Sequence, residues 1–335
     1  MRHPLVPLCA AAGAALLALG CSPGASPAPG KRQTAASAAA SPVGAKAPAQ
    51  VGANELGQVP VLMYHQLTAK PASVYDRTPA DFRAELERLA RENYVPVTAR
   101  DFQAGRIDIP AGTHPVVLTF DDSTNSQVRL DQAGAPAPDT AIAILAETSR
   151  KHPAFKPVAT FFVNAGAFSA TGSAKALTWL KSHGYEVGNH TDRHQNLRSL
   201  DQTGAAQAIT AGQRAIEKSA PGTQVTSLAL PFGAMPQPAG IAVRGTGYRY
   251  AGVYLVGANP SVSPFAKAFT PEAIPRIRSA GPTDEDAEFG SSRWLDKLVA
   301  GKDQYVSDGD PNTVAFPRAS QSKLAPAYAE RARPY

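Results

Sequence analysis

Cysteine is almost missing from this 335-residue chain: Cys9 and Cys21 are the only two, both within the first 21 residues. The remainder can hold no disulfide framework and no thiolate metal site, so any metal must sit on histidine and carboxylate. Bilayer-spanning runs are wanting as well, since the apolar stretch from Leu5 to Leu19 is too short for a transmembrane helix. Despite a formal charge of +6, there is no long Lys/Arg run and no basic helix with interleaved aromatics, so nucleic acid is not an expected partner. The excess charge suits acidic surroundings such as cell-wall polymer or lipid head groups, and equally an ordinary solvated surface. It decides nothing.

What the N-terminus does have is informative. Arg2 and His3 precede Leu5–Leu19, which has the size of a signal-peptide core. The stretch ends Leu17-Ala18-Leu19-Gly20-Cys21, which resembles the lipobox of bacterial lipoproteins with Ala18 and Leu19 exchanged. This predicts lipidation at Cys21 and an exported, membrane-anchored lipoprotein facing the periplasm or the cell exterior. Ordinary cleavage nearby would leave a lone thiol in an oxidising compartment. Residues 22–54, rich in Ala, Pro, Ser and Gly, cannot bury enough apolar surface to offset their ordering entropy. They are expected to form a disordered tether reaching about 30 Å, followed by a catalytic domain over 55–335.

From Val59 onward, short apolar runs alternate with helical patterns, which predicts parallel strands with crossover helices. The runs are Val59–Tyr64, Val95–Thr98, Val116–Phe120, Val158–Val163, Tyr185–Gly188, Val225–Leu230, Gly252–Val256, Ile274–Ile277 and Thr313–Phe316. Most are continuously hydrophobic, as strands covered on both faces should be. Thr78, Pro79 and Asp81 read as an N-cap, a first-turn proline and a capping acid, with Phe82, Leu86 and Leu89 on one face. Further helices are expected over Asp139–Ser149, Ala174–His183 (stopped by Gly184) and Leu200–Ser219. The alternation fits one β/α barrel better than an open sheet.

The polar residues of interest follow those strands, at what would be the C-terminal rim of a barrel, where catalytic groups collect. Val116–Phe120 runs into Asp121-Asp122, whose carboxylates cannot both point the same way and so can divide metal ligation from proton transfer. Alone, the dipeptide reads better as an N-cap or Asx turn. Tyr185–Gly188 runs into Asn189-His190-Thr191-Asp192-Arg193-His194, and two imidazoles four residues apart can converge on one metal. With one carboxylate they make a two-His, one-carboxylate site with open positions.

The succession Pro60-Val61-Leu62-Met63-Tyr64-His65, Thr119-Phe120-Asp121-Asp122, Ala159-Thr160-Phe161-Phe162-Val163 and His190-Thr191-Asp192-Arg193-His194 resembles the polysaccharide deacetylase family. This is the NodB homology family, or carbohydrate esterase family four, and the resemblance runs from about Val59 to Arg318. It implies a distorted (β/α)7 barrel, a divalent metal (most often Zn2+), and removal of acetyl groups from N-acetylglucosamine units of a polysaccharide. By position, Asp122, His190 and His194 would ligate the metal and Asp121 would be the base for a metal-activated water. Pro231 and Phe232, in Leu230-Pro231-Phe232-Gly233, would contact substrate, with the Phe232 N–H stabilising the oxyanion.

The chain departs from the family pattern at three places. Ala229 stands where the family has an arginine two before the proline, and Arg276 in Ile274-Pro275-Arg276-Ile277 is the candidate replacement. Ser123 follows Asp122 in place of the common glycine, and a long segment to about Pro157 comes next. No histidine follows His194, so the late histidine that protonates the leaving amine has no match. His65, at the end of the first strand, is the substitute general acid, its alternative being a histidine satisfied within the core. His114 and His152 are expected in loops and His183 at a helix end. Asp308 and Asp310 read equally as cleft-lining or turn residues, and Tyr248, Tyr250 and Trp294 as core residues rather than sugar platforms. The expected function is metal-dependent deacetylation of an extracytoplasmic N-acetylated polysaccharide, either exopolysaccharide or peptidoglycan. The alternatives are a catalytically weak glycan-binding or scaffold protein that keeps barrel and metal, and an enzyme cleaving another small amide.

Overall fold

In the computed structural model, residues 46–301 and 303–335 are described. Cys21 and the signal-like segment lie outside them. So does most of the expected tether, but its last residues do not behave as predicted. Pro48–Val51 form a short helix (α1), Ala53 is buried, and Asn54 N–H donates to the Val306 carbonyl at 2.8 Å. The folded part therefore begins before Asn54. Local composition was a poor guide because the anchoring groups lie some 250 residues away in sequence. Glu55 is the centre of that anchor: its buried carboxylate accepts from the Ala315 N–H at 2.8 Å and the Tyr305 hydroxyl at 3.1 Å. Burial, with Asp308 adding to it, pushes this carboxyl up to about 8.

The continuously apolar runs become the barrel. Its strands are β1 (Val61–Tyr64), β2 (Tyr94–Val97), β3 (His114–Phe120), β4 (Thr160–Val163), β5 (Glu186–Asn189) and β6 (Ser227–Ala229). After a small antiparallel hairpin, β7 (Arg244–Gly245) with β8 (Tyr248–Arg249), come β9 (Gly252–Tyr254) and β10 (Ile277–Arg278). The order is β10-β1-β3-β4-β5-β6-β9, every pairing parallel, with β2 flanking the first half of β3. One segment closes the ring: Ile274 bonds to β9 in both directions, and three residues later Ile277 pairs with Leu62 of β1. The result is an irregular parallel barrel, seven strands on the main path with β2 beside β3, as expected from the runs and the family resemblance. Thr313–Phe316 is a strand too (β11, Val314–Phe316), but it pairs with β12 (Ala332–Pro334) outside the barrel.

Helices pack around the strands for reasons visible in their sequences. In α2 (Pro79–Arg91) the Thr78 side chain accepts from the Asp81 N–H, and Phe82, Leu86 and Leu89 are buried, each contributing roughly 1.5–3 kcal/mol. A buried carboxylate on the same helix, Glu85, accepts from the hydroxyls of Ser279 and Ser291, which ties α2 to the end of β10. The others are α3 (Ala99–Gln103), α4 (Ala141–Lys151), α5 (Ser173–Ser182), α6 (Gln202–Ser219), α7 (Gly240–Val243) and α8 (Ser291–Ala300). Among the described residues, no helix is long and apolar enough to cross a membrane.

His114 is not in a loop. It opens β3, with Nδ1 2.7 Å from the Tyr305 carbonyl oxygen. His152 and His183 cap the C-termini of α4 and α5. Tyr248 and Tyr250 are buried and stack on each other, and the Trp294 ring N–H donates to the Ala258 carbonyl. Asp308 and Asp310 form a turn: the Asp310 N–H donates to Asp308, which also accepts from Thr313. Gly309 in that turn abuts Ala111, just before β3, so this turn lies at the opposite end of the barrel from Asp121 and Asp122.

Two stability predictions follow from the packing. A Cβ on Gly212 of α6 would sit 2.3 Å from Asn189 Oδ1 and 2.6 Å from the Thr191 backbone. Helix propensity favours Gly212→Ala by about 1 kcal/mol, yet backbone cannot yield as a flexible side chain can. Net destabilisation of about 1–3 kcal/mol is expected from urea unfolding. Glu55, raised when folded but near 4.3 when unfolded, holds a proton in the fold across that window, so its contribution falls as pH rises from about 4 to 8. Glu55→Gln should flatten that part of the stability–pH curve and gain on wild type toward the alkaline end.

Candidate active site

At the C-terminal rim, four neighbouring strand ends deliver the polar groups. His65 follows β1, Asp121 and Asp122 follow β3, Asn164 follows β4, and His190 follows β5 with His194 in the next turn. Turning the chain sharply here requires unusual backbone. Asp122, Ser123, Thr191, His194 and Phe232 all have positive φ, between 54° and 72°, without being glycine. Such conformations cost on the order of 1–3 kcal/mol each and persist only where surroundings enforce them. Asn164 is one enforcer: its side-chain amide donates to the His190 carbonyl at 2.6 Å, while its backbone N–H donates to the Ser123 hydroxyl at 2.9 Å. Asn189 is another, accepting from the Thr191 N–H and donating to the Ile209 carbonyl of α6.

Asp121 and Asp122 both border His190 Nε2, at 3.8 Å and 3.5 Å, but they have different partners. Asp121 is buried and gripped in a bidentate pair by Arg276, at 2.8 Å (Nη1–Oδ1) and 2.7 Å (Nη2–Oδ2). Arg276 is itself fully buried, donating through Nε to the Leu255 carbonyl and lying 5.6 Å from the Phe162 ring centroid. Burial alone would push the Asp121 carboxyl up, but Arg276, with His190 next, holds it well below the usual carboxylate range. Arg276 thus occupies the place expected of the missing arginine at position 229. Ala229 contributes its backbone instead, lying 2.9 Å from His190 Nδ1 through its carbonyl oxygen.

That contact places the Nδ1 proton of neutral His190 on the carbonyl and leaves the Nε2 lone pair free. Among the described residues, buried His190 Nε2 has no hydrogen-bond partner; it lies 3.5 Å from Asp122 Oδ1, and His194 Nε2 lies 3.5 Å from the same oxygen. Ligand atoms of Asp122, His190 and His194 all fall within 4.8 Å of one another. An orphaned imidazole nitrogen facing a carboxylate and a second imidazole fits a divalent cation with nitrogen and oxygen preferences. Although burial opposes a proton on His190, Asp121 and Asp122 draw its affinity above the ordinary value, so a cation would displace proton character there.

His65 reaches the same place from β1, its Nε2 4.0 Å from Asp121 Oδ2. Burial lowers its proton affinity while Asp121 and Asp122 work the other way. Across the site, the Phe232 ring is 64% exposed and meets His194 edge-on at 4.6 Å, so it forms a wall of the opening. Pro231, expected to contact substrate, is instead buried beneath that turn, where its fixed φ starts the bend that presents Phe232. The sequence reading missed Tyr75, whose partly exposed ring packs on His65 at 4.9 Å from the loop before α2. No motif marks Tyr75; it is found only once the loop is folded. Asn164 was missed for the same reason, though its place one residue past a strand end was a usable signal.

An irregular parallel barrel with a carboxylate–imidazole cluster and a separately held aspartate at its C-terminal rim is the layout of a hydrolase. Residues 108–251 match the family model described as polysaccharide deacetylase. The matched segment carries Asp121, Asp122, His190, His194 and Phe232, and it supports a hydrolase of the deacetylase class. Among solved structures, the chain is similar to the deacetylase PplD of Streptococcus pyogenes in complex with acetate. That match has 20% identity, covers 66% of this chain and 92% of the other, and has a TM-score of 0.53. It is also similar to BC0361, a polysaccharide deacetylase from Bacillus cereus, at 20% identity and a TM-score of 0.51, covering 66% of this chain and 64% of that one. At such identities the likeness speaks to the barrel. No curated protein matches the sequence.

The Arg276–Asp121 pair generates a prediction about stability. Removing the guanidinium in Arg276→Met leaves a buried, uncompensated carboxylate, so destabilisation of about 3–5 kcal/mol is expected near neutral pH with metal chelated. In wild type the depressed Asp121 value contributes stability present above about pH 4 and lost as pH falls further. In the variant burial dominates and the sign reverses: stability should recover as pH is lowered from 7 toward 5. Urea midpoints across that range test it, and equal losses at both ends would refute the account.

Proposed function

We propose that the chain is a metal-dependent deacetylase acting on an extracytoplasmic polysaccharide containing N-acetylglucosamine, either exopolysaccharide or peptidoglycan. The observation that carries this is the division of labour between two adjacent carboxylates. Asp121 is held in a bidentate pair by Arg276 with its Oδ2 3.8 Å from His190 Nε2, while Asp122 Oδ1 lies 3.5 Å from both His190 and His194. A binding module has no need of the first arrangement.

Asp122, His190 and His194 would hold the metal, and two imidazoles with one carboxylate suit Zn2+. When bound, such an ion acidifies water and polarises an acyl carbonyl. The residues of the chain do the rest. Asp121 accepts the proton of the attacking water, and Arg276 fixes the carboxylate that receives it. The backbone N–H of Phe232, in its left-handed turn, would stabilise the oxyanion formed from the acetyl carbonyl. His65, 4.0 Å from Asp121, would pass the proton that Asp121 took from the water on to the leaving amine nitrogen, which returns both residues to their starting states. The exposed Phe232 ring offers a sugar-sized apolar wall. The lipobox-like sequence before Cys21 supports attachment to a membrane by lipid, with the site facing the periplasm or the exterior.

The test is acetate release from N-acetylglucosamine oligomers by the full chain, with and without added zinc. Release should require metal, disappear in His190→Ala, and fall about 10²–10⁴-fold in Asp121→Asn and His65→Ala. A zinc-dependent rise in melting temperature, absent in His190→Ala, reports the ligand set independently of turnover. A folded, metal-loaded chain that releases no acetate from any acetylated glycan would establish instead a glycan-binding barrel.

A further inference from the structure

β1 and β3 run side by side, Tyr64 opposite Phe120, and their last backbone rung is the Asp121 N–H donating to the Tyr64 carbonyl at 2.9 Å. Immediately past it come the carbonyls of His65 and Asp121. These two residues are the donor and acceptor of protons in the reaction proposed above, on which this inference rests. One side chain joins the two carbonyls. Gln127 Nε2 donates to the His65 carbonyl at 2.8 Å and to the Asp121 carbonyl at 2.5 Å. Its orientation is fixed by chemistry, since turning the amide over would set its oxygen against two acceptors.

Gln127 is fully buried and stands on a stitched base. Its own N–H donates to the Thr124 carbonyl, and its carbonyl accepts from Ile142 in the first turn of α4. The neighbouring Ser126 hydroxyl accepts from the Leu67 N–H, two residues beyond His65. The amide therefore acts as one more rung of the ladder, made by a side chain, where the strands would otherwise part. We infer that Gln127 is a positioning residue for the hydrolysis: by tying these two carbonyls it sets the spacing and facing of His65 and Asp121. Its Oε1 finds no partner among the described residues, an expense that a residue kept for general stability has no reason to carry.

The test compares wild type with Gln127→Met, which keeps length but has no donor, and Gln127→Glu, which keeps shape with at most one. Acetate release by the full chain is measured at a temperature well below the melting point of every variant. In Gln127→Met, kcat should fall at least tenfold while KM changes less than twofold and the zinc-dependent rise in melting temperature persists. The crystal structure of the variant should show His65 Nε2 and Asp121 Oδ2 farther apart than 4.0 Å with Asp122, His190 and His194 in place. A lower melting temperature with kcat unchanged, or a raised KM with kcat unchanged, would overturn the inference. If Gln127→Met does not fold, Gln127→Glu carries the same readouts. Should wild type itself release no acetate, the proposed function fails. The clasp is then judged by the variant structure, where an unchanged His65–Asp121 separation would sink it.

Discussion

The structure turns on one buried ion pair, Arg276 with Asp121. Withdrawing both charges from water costs several kcal/mol per ion, and only excellent geometry offsets that. Here the guanidinium makes two short, parallel bonds to one carboxylate, donates a third to the Leu255 carbonyl, and lies beside the Phe162 ring. Each guanidinium nitrogen thereby finds an acceptor within the barrel. An aspartate held this way stays charged at any ordinary pH and is fixed in place beside the ligand cluster, both of its oxygens engaged by Arg276. The separation of roles between Asp121 and Asp122 is therefore a consequence of Arg276, not of the Asp-Asp dipeptide.

That dependence gives the barrel's closure a chemical meaning. Arg276 lies between Ile274, bonded to β9, and Ile277, paired with β1, in the segment that completes the ring. If the ring failed to close there, Asp121 would be left buried and unpaired. Site and fold are thus coupled through one short stretch late in the chain. The strained backbone points the same way. Positive φ at Asp122, Thr191, His194 and Phe232 is stored at the rim and held by side chains such as Asn164 and Asn189, whose partners are His190, Thr191 and Ile209 of α6.

Much of this was legible in the sequence, and the reason is physical. Parallel strands covered on both faces must be continuously apolar, so Val116–Phe120 and Ala159–Val163 announced themselves. The polar residues directly after such runs had to fall on one rim, which brought out Asp121, Asp122, His190 and His194. Thr78, Pro79 and Asp81 fixed the start of α2 by local capping alone. What failed was of another kind. The end of the tether was misjudged because Glu55 and Asn54 are anchored by residues near Val306 and Ala315. The burial of Pro231, the ring of Tyr75 over His65 and the reach of Gln127 to two carbonyls are likewise contacts between distant or differently folded segments. No periodicity or capping rule encodes them.

Arg276 falls between these cases and shows what inference across a missing residue requires. Position 229 lies on β6, next to β9, whereas Arg276 comes from the closing segment beside β1. In an open sheet those positions would be at opposite edges and could not serve one carboxylate. In a closed barrel they both face the same interior, and a long, forked side chain from either can reach Asp121. The substitution of Ala229 removes a guanidinium from one strand without removing the need for it, because a buried aspartate has few alternatives to an arginine. Small Ala229 then leaves room for the replacement while its carbonyl still orients His190. The loss of a motif residue is on this account a relocation within a ring, which is a reason to expect catalysis rather than its decay.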